Sequence, residues 1–319
     1  MKAIRVHEFG GPEVLKLEDA PEPRPEAGQV LVRVKAAGVN PVEAYIRTGG
    51  YGPVPFPYTP GNDAGGIVEA VGAGVKGIKP GDRVYTDRSV SGTYAPLALC
   101  AAVNVHPLPA AITFAQGAGV GIPAGTAWRG LFQRGGAVGG ETVLIHGATG
   151  GVGTSAVQLA RAAGLIVVAT SASEAGRRYA IEHGAHHAVG HDVTQHEDQW
   201  KPLTDGRGFD LILEMLANVN LASDLTALAK SGRVVVIGNR GRIEIDPRDT
   251  MRREADIRGL MLGAATEKEH RAIYSGLTAA MESGVLRPVV GLELPLAEAA
   301  KAHREVMEGA SFGKIVLIP

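Results

Sequence analysis

At 319 residues the chain is long enough for a sizeable core and for two domains. Its 45% hydrophobic and 20% charged residues are those of a soluble globular protein, and a net charge of −1 without a basic block points away from nucleic acid and anionic membranes. Cys100 is the only cysteine, which excludes an intrachain disulfide framework and suits a reducing compartment. The amino terminus, Met1-Lys2-Ala3-Ile4-Arg5, lacks the apolar core of a signal peptide, and no apolar run has the length to span a bilayer. The expected location is the cytoplasm.

The first third reads as all-β. Val30, Val32 and Val34 alternate with Leu31, Arg33 and Lys35, the period of two that a strand requires. Further short strands are expected at 66–71, 82–86 and 94–100, separated by Gly- and Pro-rich turns such as Lys79-Pro80-Gly81. Many short strands between such turns imply a small barrel or sandwich.

The character changes near Gly121-Ile122-Pro123. Val143-Leu144-Ile145 is a short, branched, apolar run of the kind found in buried parallel strands. After it comes His146-Gly147-Ala148-Thr149-Gly150-Gly151-Val152-Gly153, and then apolar residues at helical spacing, ending at Gly164. A glycine turn between a strand and a helix lets the backbone approach a pyrophosphate, and the helix N-terminus offers N–H groups to the anion. The dinucleotide fingerprint here reads Ala148-x-Gly150-x-x-Gly153, with Ala in place of the usual first Gly.

Strand–helix alternation continues, with strands expected at 165–170, 188–189, 210–214, 232–238 and 257–262. Helices are expected from Ser171-x-x-Glu174, a capping-box pattern, and along Leu221, Leu225 and Leu228, the latter stopped by Ser231-Gly232. This is the pattern of an α/β, doubly wound parallel sheet. Helical spacing recurs at 271–281 and 297–307. A last strand, Lys314-Ile315-Val316-Leu317-Ile318, is expected to return to the amino-terminal β domain.

An NAD site usually carries an acid at the end of the second strand to bind the ribose 2′-OH. Here that end is neutral, Ala169-Thr170-Ser171-Ala172-Ser173, and the capping pattern accounts for Glu174. Arg177 and Arg178 follow on the next helix, where a cation can meet a 2′-phosphate. The expected cofactor is therefore NADPH. A metal site at His186, His187 and His191 is not expected, because no thiol or well-placed carboxylate completes it.

The chain resembles the zinc-independent quinone oxidoreductases of the medium-chain dehydrogenase/reductase superfamily, of the zeta-crystallin type. The resemblance rests on Phe9-Gly10-Gly11-Pro12-Glu13-Val14-Leu15, Gly38-Val39-Asn40-Pro41-Val42-Glu43, Pro60-Gly61-Asn62-Asp63 and the glycine turn. Two narrower stretches carry the subfamily, Glu214-Met215-Leu216-Ala217-Asn218-Val219-Asn220-Leu221 and Ile245-Asp246-Pro247-Arg248-Asp249-Thr250-Met251. It implies a GroES-like β domain built from both chain ends (1–122 and 264–319) and a Rossmann domain (123–263).

The resemblance also implies site residues. Tyr45 would lie beside the nicotinamide, and Thr149, Gly150, Gly151, Val152 and Gly153 would hold the pyrophosphate. Ala172, Ser173 and His191 would flank the 2′-phosphate, to which the position of Arg177 on the helix after the second strand adds a cation. Asn220, Ile237, Gly238, Asn239, Arg240, Leu260, Met261 and Leu262 would line the ribose and nicotinamide end. Zinc enzymes of the superfamily hold their ion with Cys, His and Cys; the matching positions read Asn40, Asn62 and Ile122, so no metal is expected. Asn40 and Tyr45 are the candidate catalytic residues.

The implied activity is hydride transfer from NADPH to a quinone. Reduction of an activated enone or enal is the alternative, a zinc alcohol dehydrogenase and a crystallin-like structural role the competing classes. The implied assembly is a homo-oligomer, a dimer or tetramer.

Overall fold

The computed structural model describes residues 1–309 and 311–319. In chain order its strands are β1 (Lys2–Arg5), β2 (Lys16–Asp19), β3 (Gln29–Val39), β4 (Ala64–Val71), β5 (Arg83–Thr86), β6 (Leu97–Ala101), β7 (Val105–Pro107) and β8 (Thr142–Ile145). There follow β9 (Ile166–Thr170), β10 (His187–Val189), β11 (Phe209–Glu214), β12 (Leu228–Val236), β13 (Asp256–Gly259), β14 (Val290–Pro295) and β15 (Lys314–Ile318). The chain divides into two compact units, one of Met1–Gly125 with Tyr274–Pro319 and one of Thr126–Ile273. Among the described residues no helix is long and apolar enough to cross a membrane.

In the first unit a sheet runs β14-β15-β3-β4-β5-β7, with β6 also paired to β3. The long β3 is its spine, antiparallel to β4, β6 and β15. Val30 and Val32 pack with Val68, Val84, Cys100 and Val105 in one apolar cluster, whereas Val34, Ala37 and Val39 join Ile4, Val6, Leu294 and Leu317 in another. Cys100 is a buried packing residue whose thiol burial pushes up to about 12, so it carries no thiolate near neutral pH.

The second unit is a parallel sheet of order β10-β9-β8-β11-β12-β13. Helices cross between its strands: Gly151–Ala162 after β8, Glu174–Glu182 after β9, Ala217–Ala227 after β11 and Pro247–Arg253 after β12. This is the doubly wound Rossmann arrangement, whose ligand edge lies at the carboxyl ends of the strands. Leu144, Val168, Ile212 and Val234 from neighbouring strands pack with Phe209, Trp200, Leu221 and Leu225 on one face.

Four local expectations change. The helix along Leu221 and Leu225 stops at Ala227, and Leu228 already opens β12 opposite Phe209. Ser231, in the left-handed region at φ 60°, lies inside β12 at the shift in its pairing with β11, so Ser231-Gly232 marks an irregular strand and not a helix end. The helix after β9 is capped by Ser173, which accepts from Gly176 N–H at 3.0 Å, and Glu174 is its first residue; Ser171 caps nothing. The strand expected at 257–262 ends at Gly259, and Leu262–Ala264 form a short helical turn.

One buried cation ties the base of the parallel sheet together. Arg233 Nη1 and Nη2 donate to the two carboxylate oxygens of Glu141 at 2.7 and 2.6 Å, and its Nε donates to Gly135 O at 2.7 Å. Breaking a bidentate pair whose arginine is buried and also holds backbone carbonyls costs up to several kcal/mol, because Gly135 O and Asp210 O lose their donor along with Glu141. Arg233→Met should therefore lose about 3 kcal/mol in urea unfolding. A loss below about 1 kcal/mol, the scale of a surface pair, would show that the bridge is not structural.

Candidate functional site

The site residues expected in the second unit all follow the carboxyl ends of its parallel strands. After β8, Gly147 takes φ 58°, the left-handed region that a side chain disfavours. The helix Gly151–Ala162 then starts so close to the turn that a Cβ on Gly153 would stand 2.3 Å from Gly147 O. Glycine is thus required at 147 for the bend and at 153 for the approach, while Ala148 is buried and fits. The N–H groups of Gly151, Val152 and Gly153 lie in the first helical turn, outside the helix's own ladder, and suit an anion.

After β9, the exposed Ala172 and Ser173 lead into the next helix. Its two arginines part company. Arg178 pairs with Glu174 at 3.1 Å on the solvent face, whereas the half-buried Arg177 turns back to the strand end and reaches Ser171 O at 3.4 Å. After β10, the exposed His191 places Nδ1 2.7 Å from Thr170 Oγ1. After β11, Asn220 Nδ2 donates to Glu214 Oε1 at 3.3 Å. After β12, Ile237 N–H donates to Glu214 O at 2.9 Å and Arg240 N–H to Asn218 Oδ1 at 2.8 Å. A Cβ on Gly238 would stand 2.1 Å from Met215 O, so glycine is needed where these segments touch. Asn239 bonds Gly241 O at 2.7 Å, and Leu260, Met261 and Leu262 continue from β13, Met261 exposed.

In the first unit Asn40 caps the helix Pro41–Arg47, which begins with Pro at its first position, and Asn40 N–H donates to Glu43 Oε2 at 2.5 Å. The Asn40 side chain is fully engaged. Its Nδ2 donates to Asp63 Oδ2 at 2.9 Å and to Glu43 Oε1 at 3.2 Å, and its Oδ1 accepts from the Lys314 ammonium. Asp63 Oδ1 accepts Ile122 N–H at 2.8 Å. Both amide hydrogens being used within the protein, Asn40 orders its own surroundings. Tyr45 lies on the same helix, half-buried, its ring parallel to that of Tyr51 at 6.5 Å.

Asn40, Glu43, Asp63 and Lys314 are all buried. Burial pushes the Glu43 carboxyl up to about 7 against the pull of the Lys314 ammonium, and it pushes Asp63 up as well. Sequence reading passed over Lys314, Asp63 and Glu43 as site residues, and also a second buried group: His146, Glu214 and Asp224. A usable signal existed for three of these six. Lys314 opens a run of apolar strand residues, His146 follows one and Glu214 closes one, places where a charge is buried unless it is paired.

Residues 26–125 match the alcohol dehydrogenase GroES-like domain family, and residues 151–277 match the zinc-binding dehydrogenase family. The quinone oxidoreductase of Homo sapiens is 47% identical over 321 residues, covering 100% of this chain and 98% of that protein. That of Rattus norvegicus is 49% identical with the same coverage. The chain belongs to the quinone oxidoreductase family. Its zinc-independent, zeta-crystallin-type branch is the one its motifs resemble. The crystal structure of Escherichia coli quinone oxidoreductase complexed with NADPH has the same fold, with a TM-score of 0.91, 29% identity and 100% of both chains covered.

Although one matching family is named for zinc, the donor set does not fit that ion. The Asn40 amide oxygen already holds an ammonium, Asn62 Oδ1 faces Ser89 N–H at 3.5 Å, and Ile122 offers no lone pair. The glycine cradle, by contrast, fits a dinucleotide pyrophosphate.

Glu43 makes the first unit pH-sensitive. Its pKa is higher folded than unfolded, so its contribution to stability is full below the ordinary 4.5 and is lost as pH rises through about 7. Glu43→Gln should flatten part of the fall in melting temperature across that window. Parallel curves for wild type and variant would show that Glu43 is ionised throughout.

Proposed function

We propose that the chain is an NADPH-dependent quinone reductase that works by direct hydride transfer without a metal. The observation that carries this reading is the buried Lys314–Asn40–Asp63 network, which stands where zinc enzymes of the superfamily bind their ion, in a chain whose parallel sheet ends in a dinucleotide cradle. Bound NADPH supplies the hydride. The residues of this chain bind and orient: Gly151, Val152 and Gly153 offer N–H groups to the pyrophosphate, and Arg177, Ser173 and His191 meet the 2′-phosphate. Asn220, Gly238 and the segments around them line the ribose and nicotinamide end. A quinone suits the lack of a Lewis acid, because its carbonyls are already electron-poor. Tyr45 stacks on the cofactor or donates a hydrogen bond to the acceptor oxygen. The same reading makes the protein a cytoplasmic homo-oligomer, a dimer or tetramer.

NADPH selection is assigned to Arg177 and not to Arg178, whose guanidinium is occupied by Glu174. Arg177→Ala should weaken NADPH binding by the equivalent of about 1–3 kcal/mol and leave NADH nearly untouched, while Arg178→Ala changes little. Equal losses for NADPH and NADH on titration of Arg177→Ala would mean that this arginine serves folding.

The activity is tested by NADPH oxidation with a quinone and with an activated enone, with and without a zinc chelator. The quinone reaction should persist in chelator. Tyr45→Phe should spare it and slow any enone reaction by roughly tenfold, the scale of one hydrogen bond to developing charge. A protein that oxidised NADPH with neither acceptor and dehydrogenated simple alcohols would overturn the assignment.

A further inference from the structure

Beneath the glycine turn the second unit buries three ionisable groups that the binding site itself does not use: His146, Glu214 and Asp224. His146 Nε2 lies 2.9 Å from Asp224 Oδ1 and 3.4 Å from Glu214 Oε2. Glu214 Oε1 is fixed as an acceptor by Leu216 N–H and Asn220 Nδ2, which leaves Oε2 facing the imidazole. On its other side His146 Nδ1 lies 3.4 Å from Thr170 Oγ1, and the same hydroxyl lies 2.7 Å from His191 Nδ1. Gly147 N–H also points at that oxygen, at 3.2 Å. The chain of groups Asp224–His146–Thr170–His191 therefore runs from the core to an exposed ring.

Counting hydrogens narrows the direction of this chain. A threonine hydroxyl has one hydrogen and two acceptor positions. Gly147 N–H fills one acceptor position, so one imidazole donates to the hydroxyl and the other accepts from it. Among the described residues no lysine or arginine pairs with Glu214 or Asp224. With both carboxyls ionised and the imidazole neutral, the cluster would bury a charge of about −2, which is prohibitive in the core. Two added protons make it neutral. They can be placed on both carboxyls, or on either carboxyl and the imidazole. In the first case a hydrogen on Asp224 Oδ1 donates to Nε2 across 2.9 Å, which puts the hydrogen of the neutral ring on Nδ1; in the others the imidazolium carries both. Both imidazolium arrangements, and the neutral ring that accepts from Asp224 at Nε2, put N–H at His146 Nδ1; only a neutral ring that donates from Nε2 to a carboxyl leaves Nδ1 bare. Burial pushes both carboxyls up to about 7, in keeping with such a proton-holding cluster.

We propose that Thr170 and His146 are positioning residues for NADPH selection: His146 Nδ1–H donates to Thr170, Thr170 donates to His191 Nδ1, and His191 is thereby held as the tautomer whose hydrogen is on Nε2. That nitrogen is the one available to an anion. Reversed, the chain would put the hydrogen on His191 Nδ1 and turn a lone pair toward the phosphate. The inference rests on the reading that His191 meets the 2′-phosphate, and it adds the residues that fix which way its ring is protonated.

Two measurements in slightly acidic buffer separate the two ideas. Two-bond 1H–15N correlation of the cofactor-free full chain, with the His191 signals assigned through His191→Ala, reads the tautomer directly. The Nε2–H form is expected in wild type and in Thr170→Ser, and a tautomer mixture in Thr170→Val. Titration with NADPH and NADH should show Thr170→Val weakening NADPH by roughly tenfold and NADH by roughly twofold or less, with Thr170→Ser restoring the preference. Asp224→Asn still offers a donor to His146 Nε2 and should keep the Nε2–H form. An unchanged His191 tautomer in Thr170→Val, or equal weakening of NADPH and NADH, would overturn the relay. A His191→Ala variant with wild-type preference for NADPH would overturn the phosphate contact instead, and with it the relay's role in selection.

Discussion

The register between β15 and β3 sets Ile315 opposite Val39 and Val316 opposite Gly38, and so lays Lys314 beside Asn40, 274 positions away in the chain. The rest of the charged network is a consequence. An ammonium taken out of water costs several kcal/mol unless it is hydrogen-bonded and paired, and Asn40 Oδ1 and Asp63 Oδ2 supply both. Asp63 in turn is held by Ile122 N–H and the Asn40 amide. Gly38 makes the meeting possible, since a Cβ there would stand 2.8 Å from Lys314 Cε and 2.9 Å from Asp63 Cβ. In zinc enzymes of the superfamily the residue at the Asn40 position binds a metal cation; here it binds a side-chain one.

The second unit meets the same cost differently. Its inner strands β8 and β11 are buried along most of their length, and the two buried ionisable residues there, His146 and Glu214, stand where those strands end. That is the edge at which open α/β sheets bind ligands. Buried groups at such an edge share protons among themselves instead of pairing with a fixed cation. One unit thus neutralises its interior with a lysine, the other with exchangeable hydrogens.

How far this was legible in the sequence depended on the range of the cause. The glycine turn was readable because a bend at Gly147 and a close approach at Gly153 are local demands with one residue type as the answer. The alternation of strand and helix was readable because the apolar period changes between them. Leu228 was misassigned because Leu221, Leu225 and Leu228 keep helical spacing across the start of β12, and only pairing with Phe209 decides its state. Ser171-x-x-Glu174 looked like a cap because the pattern fits, yet Ser173 is two residues nearer the helix start and bonds Gly176 N–H. The partnership of Lys314 with Asn40 had no local signature at all. It exists only once β15 is laid against β3.

That strand has a consequence for how the chain is made. Thr126–Ile273 is contiguous, so its parallel sheet can close as soon as that stretch has left the ribosome. The amino-terminal sheet cannot: β3 emerges early and waits through the synthesis of the whole intervening unit for β15. Until then one margin of β3 carries unpaired backbone groups, and Asn40 and Asp63 lack their cation. A nascent chain at this stage presents an open sheet margin over an unneutralised Asp63 carboxylate, the form in which it is most exposed to pairing with another chain and most dependent on chaperones.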